Sequence, residues 1–276
     1  MVAERQLNST ITSPLPVRAA RRVRPEIWIS LATVAAAFAI WWLVSNSGLV
    51  PPYFLPTPAA TWRAFVDIAV EGYRGRSLWE HFGASLARVL VAFLAGALVG
   101  VPLGLAMGVS PRVSAIFHIP IEFYRPLPPL AYYTLLVIWL GIDDKSKVAL
   151  LFLAALPPIV IATASAVRKV RPDYLNGARS LGANRYQVLR YVIFPACLPQ
   201  IFTGLRVAIG FTYTTLVAAE MVAGVNGIGW MVLDAGKFLR SDVIFVGIIL
   251  MGLTGILLDA GVRQIERLVV PWHGKE

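Results

Sequence analysis

The sequence predicts an all-α membrane protein, a polytopic bundle of about six transmembrane helices. Long apolar runs recur from Ile27 to Val270, separated by short polar gaps. Hydrophobic residues make up 57% of the 276 and charged residues 14%, against about 25% charged in soluble domains. Mean hydropathy is +0.69. A chain with this much apolar surface needs lipid as its main solvent.

Residues 1–26 read as a cytoplasmic tail carrying Arg18, Arg21, Arg22 and Arg24. The first span is residues 27–44, eighteen positions without a charge. At 1.5 Å per residue that is roughly 27 Å, close to the ~30 Å hydrocarbon thickness. A basic head before an apolar run also describes a signal peptide. Here Val44-Ser45-Asn46-Ser47 makes a poor cleavage site, so the run is read as an uncleaved helix. Residues 27–82 then comprise this span and an external segment. That segment has a Pro-rich start (Pro51, Pro52, Pro56, Pro58) and an amphipathic helix presenting Trp62, Phe65, Val66, Ala69 and Tyr73 on one face.

Residues 83–268 hold the remaining spans at 85–107, 117–141, 148–167, 201–223 and 243–262, followed by a short tail at 269–276. With a cytoplasmic N-terminus, the inside segments carry fifteen of the 25 Lys and Arg, from Arg5 to Lys275, and the outside segments eight, Arg88 among them. Arg125 and Arg206 lie within spans. Both termini are therefore expected on the cytoplasmic side. The same distribution explains the net charge of +10 without nucleic acid, because the basic residues punctuate apolar runs and form no single basic surface. Cys197 is the only cysteine, which excludes an intrachain disulfide, and no Cys/His cluster offers a metal site.

Between the fourth and fifth spans, residues 171–195 read as helix, turn, helix. Pro172 suits a first helical turn, Gly182 a left-handed stop, and Asn184 with Gln187 a capping box; Pro195 limits the second helix. Tyr186, Leu189 and Ile193 share a face of that second helix. Pattern alone leaves two readings open: a docking element for a partner, or two helices packed beneath the chain's own bundle.

Several polar groups fall inside the spans. Glu122 and Arg125, at i and i+3, are expected to pair. The pair is either structural or gives a permeating anion a positive group, in a span broken by Pro126, Pro128 and Pro129 and so read as lining the pathway. Thr212, Tyr213, Thr214 and Thr215 lie below Glu220. They either bond back to their own helix or line the pathway weakly. Glu220 is read as more structural than catalytic, and Asp259 as the helical partner of Arg263. No Ser/His/Asp set, HExxH or phosphate loop of the G-x-x-x-x-G-K-[ST] form is present, which argues against an enzyme and against ATP binding by this chain. The rival classes are a secondary transporter, which would need a midplane ion site and repeated halves, and a membrane-embedded enzyme.

Residues 171–195 resemble the signature of binding-protein-dependent ABC importer permeases: Glu-Ala-Ala, three residues, Gly, then nine residues and Ile-x-Leu-Pro. Gly182 and Pro195 match, Ala178 is the second Ala, and Val192 and Phe194 stand for the Ile and Leu. Asn176 and Gly177 replace the Glu and first Ala, removing the acidic group. Docking of an ATPase is then expected to depend on shape and apolar burial around Ala178, Leu181, Tyr186 and Leu189. Further stretches, including Tyr124-Arg125-Pro126-Leu127-Pro128-Pro129, Thr203-Gly204-Leu205-Arg206 and Leu216-Val217-Ala218-Ala219-Glu220, resemble permeases for taurine and related sulfonates. The resemblance implies a type I ABC importer permease fold in the bacterial inner membrane. It also implies a permease homodimer, two cytoplasmic ATPase subunits that bind ATP and Mg, and a periplasmic binding protein, with no cofactor on this chain.

Overall fold

The computed structural model describes residues 25–272. Every regular element among the described residues is helical. Helix α1, Pro25–Asn46, forms a unit of its own with residues up to Val50. Trp28, Phe38 and Ile40 are each more than half exposed on it, as suits side chains solvated by lipid.

The second unit begins at Pro51 and contains α2 (Pro58–Glu71), α3 (Leu78–Val109), α4 (Pro111–Tyr124), α5 (Pro129–Leu140), α6 (Asp144–Arg168), α7 (Pro172–Ser180), α8 (Arg185–Val188), α9 (Phe194–Ala223), α10 (Ile228–Lys237) and α11 (Ser241–Val269). A π-helical turn, Leu189–Ile193, joins α8 to α9. Among the described residues five helical stretches are long and apolar enough to cross a membrane: Trp28–Asn46, Leu78–Val109, Asp144–Arg168, Arg185–Ala223 and Ser241–Val269.

The third span at 117–141 is broken at its prolines, as the sequence predicts. It is the end of α4, a turn at Arg125–Pro128, and α5, whose 12 residues reach only about 18 Å. Three prolines produce the break. Pro128 precedes Pro129 and is driven out of the helical region, to φ −63°, ψ 129°. The predicted second span starts earlier than expected, at a capping box in which Ser77 and Glu80 bond reciprocally.

Helices α3, α6 and α9 form the core. Gly96, Gly100, Gly104 and Gly108 recur every four residues along α3 and face Ala155, Ile159, Thr163 and Val167, which recur in step along α6. A Cβ on Gly100 would stand 2.9 Å from Ile159, so this ridge lets the two backbones approach as side chains elsewhere would not. Gly204 of α9 meets Ala162 in the same way. The predicted amphipathic face of α2 is met in part: Phe65, Ala69 and Tyr73 pack inward beside the buried Thr61, Ala64 and Ile68, while Trp62 is 65% exposed and Val66 40%. Ile68 packs with Leu78, Ile228, Met231 and Val243, which fastens α2 to the α10–α11 hairpin.

Candidate functional site

The helix break at Arg125–Pro128 opens a cavity of about 480 Å³. Its walls come from the break (Tyr124, Arg125, Leu127), from α6 at Pro157, Pro158 and Ile161, and from α9 at Gln200, Thr203 and Phe211. Exposed non-helical backbone is tolerated at membrane depth where it borders such a cavity. Among the described residues Arg125 is the only charged one in the lining. Its Nη1 stands 4.0 Å from the Glu122 carboxylate, and the two side chains are 62% and 46% exposed, so the expected pair is present but loose. Glu122 itself faces a second cavity of about 250 Å³ with His118 and Arg168. Ile161 and Ser165 belong to both linings.

The other residues predicted for the pathway border neither cavity. Pro128 is the N-cap of α5. Thr212 and Thr215 donate to the carbonyls of Ala208 and Phe211, each at 2.8 Å, the back-bonding alternative for threonines in apolar helices. Tyr213 donates to the Met251 carbonyl at 3.0 Å and ties α9 to α11.

Glu220 is fully buried at the centre of a polar node. It accepts from Ser85 Oγ at 2.8 Å, Arg88 Nη1 at 2.6 Å and the Gly229 amide at 3.0 Å. Arg88 also reaches Asp144 Oδ1 at 2.7 Å and both oxygens of Asn226. Gly227, at φ +113°, lies against the Glu220 carboxylate where a Cβ has no room. Its amide donates to His81 Nδ1 at 3.1 Å, and the His81 ring stacks on Trp230. The node joins α3, α6, α9 and the loop before α10. Arg88 therefore does not belong to the external loop charge: it is 3% exposed and neutralised inside the fold. Its link to Glu220 spans 132 residues, beyond the reach of helical spacing. The available signal was Arg88 in one apolar span and Glu220, with Arg206, in another, for which intramembrane partners are the default. Asp259 likewise has a second partner, Arg206 at 2.8 Å, besides the expected Arg263 at 3.1 Å.

The 171–195 segment folds as helix, turn, helix. Gly182 at φ +84° ends α7, with its own amide on the Arg179 carbonyl at 2.9 Å and the Ala183 amide on Ala178 at 3.1 Å, a Schellman arrangement. Asn184 and Gln187 form the capping box of α8. Two expectations change. Pro195 does not end the helix: the wider turn at Leu189–Ile193, closed by the Phe194 amide on the Leu189 carbonyl, absorbs the missing N–H and the ring clash, and the helix runs on into α9. The face also differs. Ile193 is buried and Leu189 and Ala178 pack inward on Val188, Cys197 and Ile201, so the outward apolar surface is Tyr174, Leu181, Tyr186 and Tyr191. Leu181 is 90% exposed. Asn176 and Gly177 are exposed alongside it, and a groove lined by Leu181, Gly182, Gln187 and Tyr191 indents the surface.

Residues 100–271 match the family described as binding-protein-dependent transport system inner membrane component. The chain is 43% identical over 251 residues to the taurine transport system permease protein TauC of Escherichia coli (strain K12), covering 91% of each. It is 33% identical to the putative aliphatic sulfonates transport permease protein SsuC of Bacillus subtilis (strain 168), covering 87% of this chain and 85% of the relative. It is 31% identical to the bicarbonate transport system permease protein CmpB of Synechococcus elongatus (strain ATCC 33912 / PCC 7942 / FACHB-805), covering 98% and 99%. An inward-facing structure of the MetNI methionine ABC transporter shares the fold, with a TM-score of 0.60 at 19% identity over 70% of this chain and 95% of that one. The apolar helices, the helix–turn–helix between the fourth and fifth predicted spans, and these matches agree: the chain is a multi-pass permease of the binding-protein-dependent transport system inner membrane component family.

Proposed function

We propose that this chain is the permease subunit of a bacterial inner-membrane ABC importer for taurine or a closely related sulfonate. The observation that carries the proposal is the 43% identity to a taurine permease across 91% of both chains. A cavity whose only charge among the described residues is the Arg125 guanidinium supports a solute with an acid group. The permease works as a homodimer with both termini cytoplasmic. A periplasmic binding protein delivers substrate, and two cytoplasmic ATPase subunits bind ATP and Mg²⁺.

The 171–195 segment is the coupling element in this proposal. Its outward apolar residues are Tyr174, Leu181, Tyr186 and Tyr191, and its one carboxylate, the exposed Asp173, is paired with Arg171, so it grips the ATPase by burial and shape. Closure of the ATPase dimer pushes on this segment, and rigid-body motion of the two permease bundles exposes the cavity to each side in turn. The π turn between α8 and α9 stands where that push enters the spanning helix.

Uptake of radiolabelled taurine into proteoliposomes containing the permease, its ATPase and its binding protein tests the proposal. Uptake should require ATP inside and persist when the membrane potential is collapsed. Uptake that survives ATP depletion and fails without the potential would instead mark an ion-driven carrier.

A further inference from the structure

Arg125 and Glu122 stand on the same turn at the end of α4, yet they address different spaces. Arg125 faces the larger cavity and Glu122 the smaller one, and Ile161 and Ser165 are shared between the two. Their mutual approach is 4.0 Å, and both side chains are about half exposed. Among the described residues neither has another charged partner. The Arg88–Glu220 pair shows what a closed ion pair is in this fold: 2.6 Å, almost no exposure, and further bonds to each member. The pair at the helix break is open by comparison.

An open pair of opposite charges within an apolar bundle restricts what can displace it. A simple anion that takes Arg125 leaves Glu122 with Arg168 across the smaller cavity but no cation within 4.0 Å, and adjacent to a second negative group, which is costly where water is scarce. A zwitterion supplies both countercharges. Its acid group replaces Glu122 on Arg125, its ammonium replaces Arg125 on Glu122, and each charge stays compensated as the pair opens.

We infer that Arg125 and Glu122 form a recognition element for a small amino acid-group zwitterion, with Arg125 taking the acid group and Glu122 the ammonium. The inference rests on the sulfonate-importer reading and adds to it. Selection then occurs twice, once in the binding protein and again in the permease, by the test of whether both charges of the pair are matched. Tyr124 and Tyr132, whose rings lie 5.1 Å apart, form an aromatic wall at the Arg125 end.

The experiment uses the complete transporter in proteoliposomes and compares uptake of taurine with uptake of ethanesulfonate, which lacks the ammonium. Catalytic efficiencies are measured for wild type, Glu122→Gln, Glu122→Asp and Arg125→Gln. Because the binding protein is the same throughout, dividing each variant's taurine preference by that of wild type cancels its contribution. Glu122→Gln should lower the preference about tenfold, equivalent to about 1.4 kcal/mol, through loss on the taurine side alone. Glu122→Asp should retain the preference, and Arg125→Gln should lower uptake of both. An unchanged preference in Glu122→Gln, or equal losses of both solutes in Glu122→Gln and Glu122→Asp, overturns the inference and leaves the importer reading standing. A wild-type transporter that takes up neither sulfonate overturns both.

Discussion

At the closed node Arg88 and Glu220 have near partners and almost no exposure, whereas Arg125 and Glu122 stand 4.0 Å apart and half exposed beside two cavities. Both pairs lie in otherwise apolar stretches of the same chain. The contrast separates two uses of charge inside a membrane bundle. A carboxylate enclosed by a guanidinium, a hydroxyl and an amide fixes helix positions, and it has no valence left for a solute. An open pair bordered by unwound backbone contributes little to rigidity and leaves its charges available.

The largest effect is expected at the closed node. Glu220→Ala leaves Arg88 buried with only part of its partnership and frees Ser85 and the Gly229 amide. The loss should be about 3–5 kcal/mol, read as a lower thermal unfolding midpoint and lower yield of folded protein in detergent. A yield and midpoint like wild type would show that the node is not a structural fastening.

The coupling segment contains the same contrast on a smaller scale. Leu189 packs inward, so Leu189→Asp should cost about 2–5 kcal/mol of stability, in the range of other severe core disruptions. Leu181, 90% exposed, should tolerate Asp within about 0.5 kcal/mol, yet the variant should lose co-purification of the ATPase. Equal behaviour of the two variants would erase the distinction between an inner and an outer face.

The smallest effect is expected at the Tyr73–Arg74–Asp234 contact between the loop after α2 and α10. Burial pushes the Asp234 carboxyl up, but hydrogen bonds from Arg74 at 2.9 Å and Tyr73 at 3.0 Å outweigh it and hold the group below its usual range. A depressed folded-state value means that this stabilisation is fully present above the unfolded carboxylate range and is lost as pH falls through the folded value, below about pH 4. Asp234→Asn should flatten that acid limb of the stability curve. An acid limb identical to wild type would remove the contact from the account.

Much of this was legible in the sequence. The apolar runs at 27–44, 85–107, 148–167, 201–223 and 243–262 each coincide with a long helix, because uninterrupted hydrophobicity and helix length are local properties. The Gly182 stop and the Asn184–Gln187 box were legible for the same reason. The break in 117–141 was legible from its three prolines, although not that α5 would be as short as 12 residues. Two features were not. The Arg88–Glu220 pair joins residues far apart in sequence and brought together by the α3–α6–α9 packing. The inward packing of Leu189 follows from the contact of this segment with Cys197 and Ile201 of α9, which no pattern within the segment reveals. The four-residue glycine spacing on α3 was present in the sequence as a packing signal and marks the core contact with α6.

Arg125→Gln tests the central claim most directly, with ATP-driven taurine uptake and the unfolding midpoint measured on the same reconstituted preparation. If the helix break is the solute's route and the closed node is the fastening, uptake should fall about tenfold or more, equivalent to about 1.4 kcal/mol, while the midpoint stays at the wild-type value. Undiminished uptake, or a loss of uptake that only follows a loss of folded protein, would contradict the account.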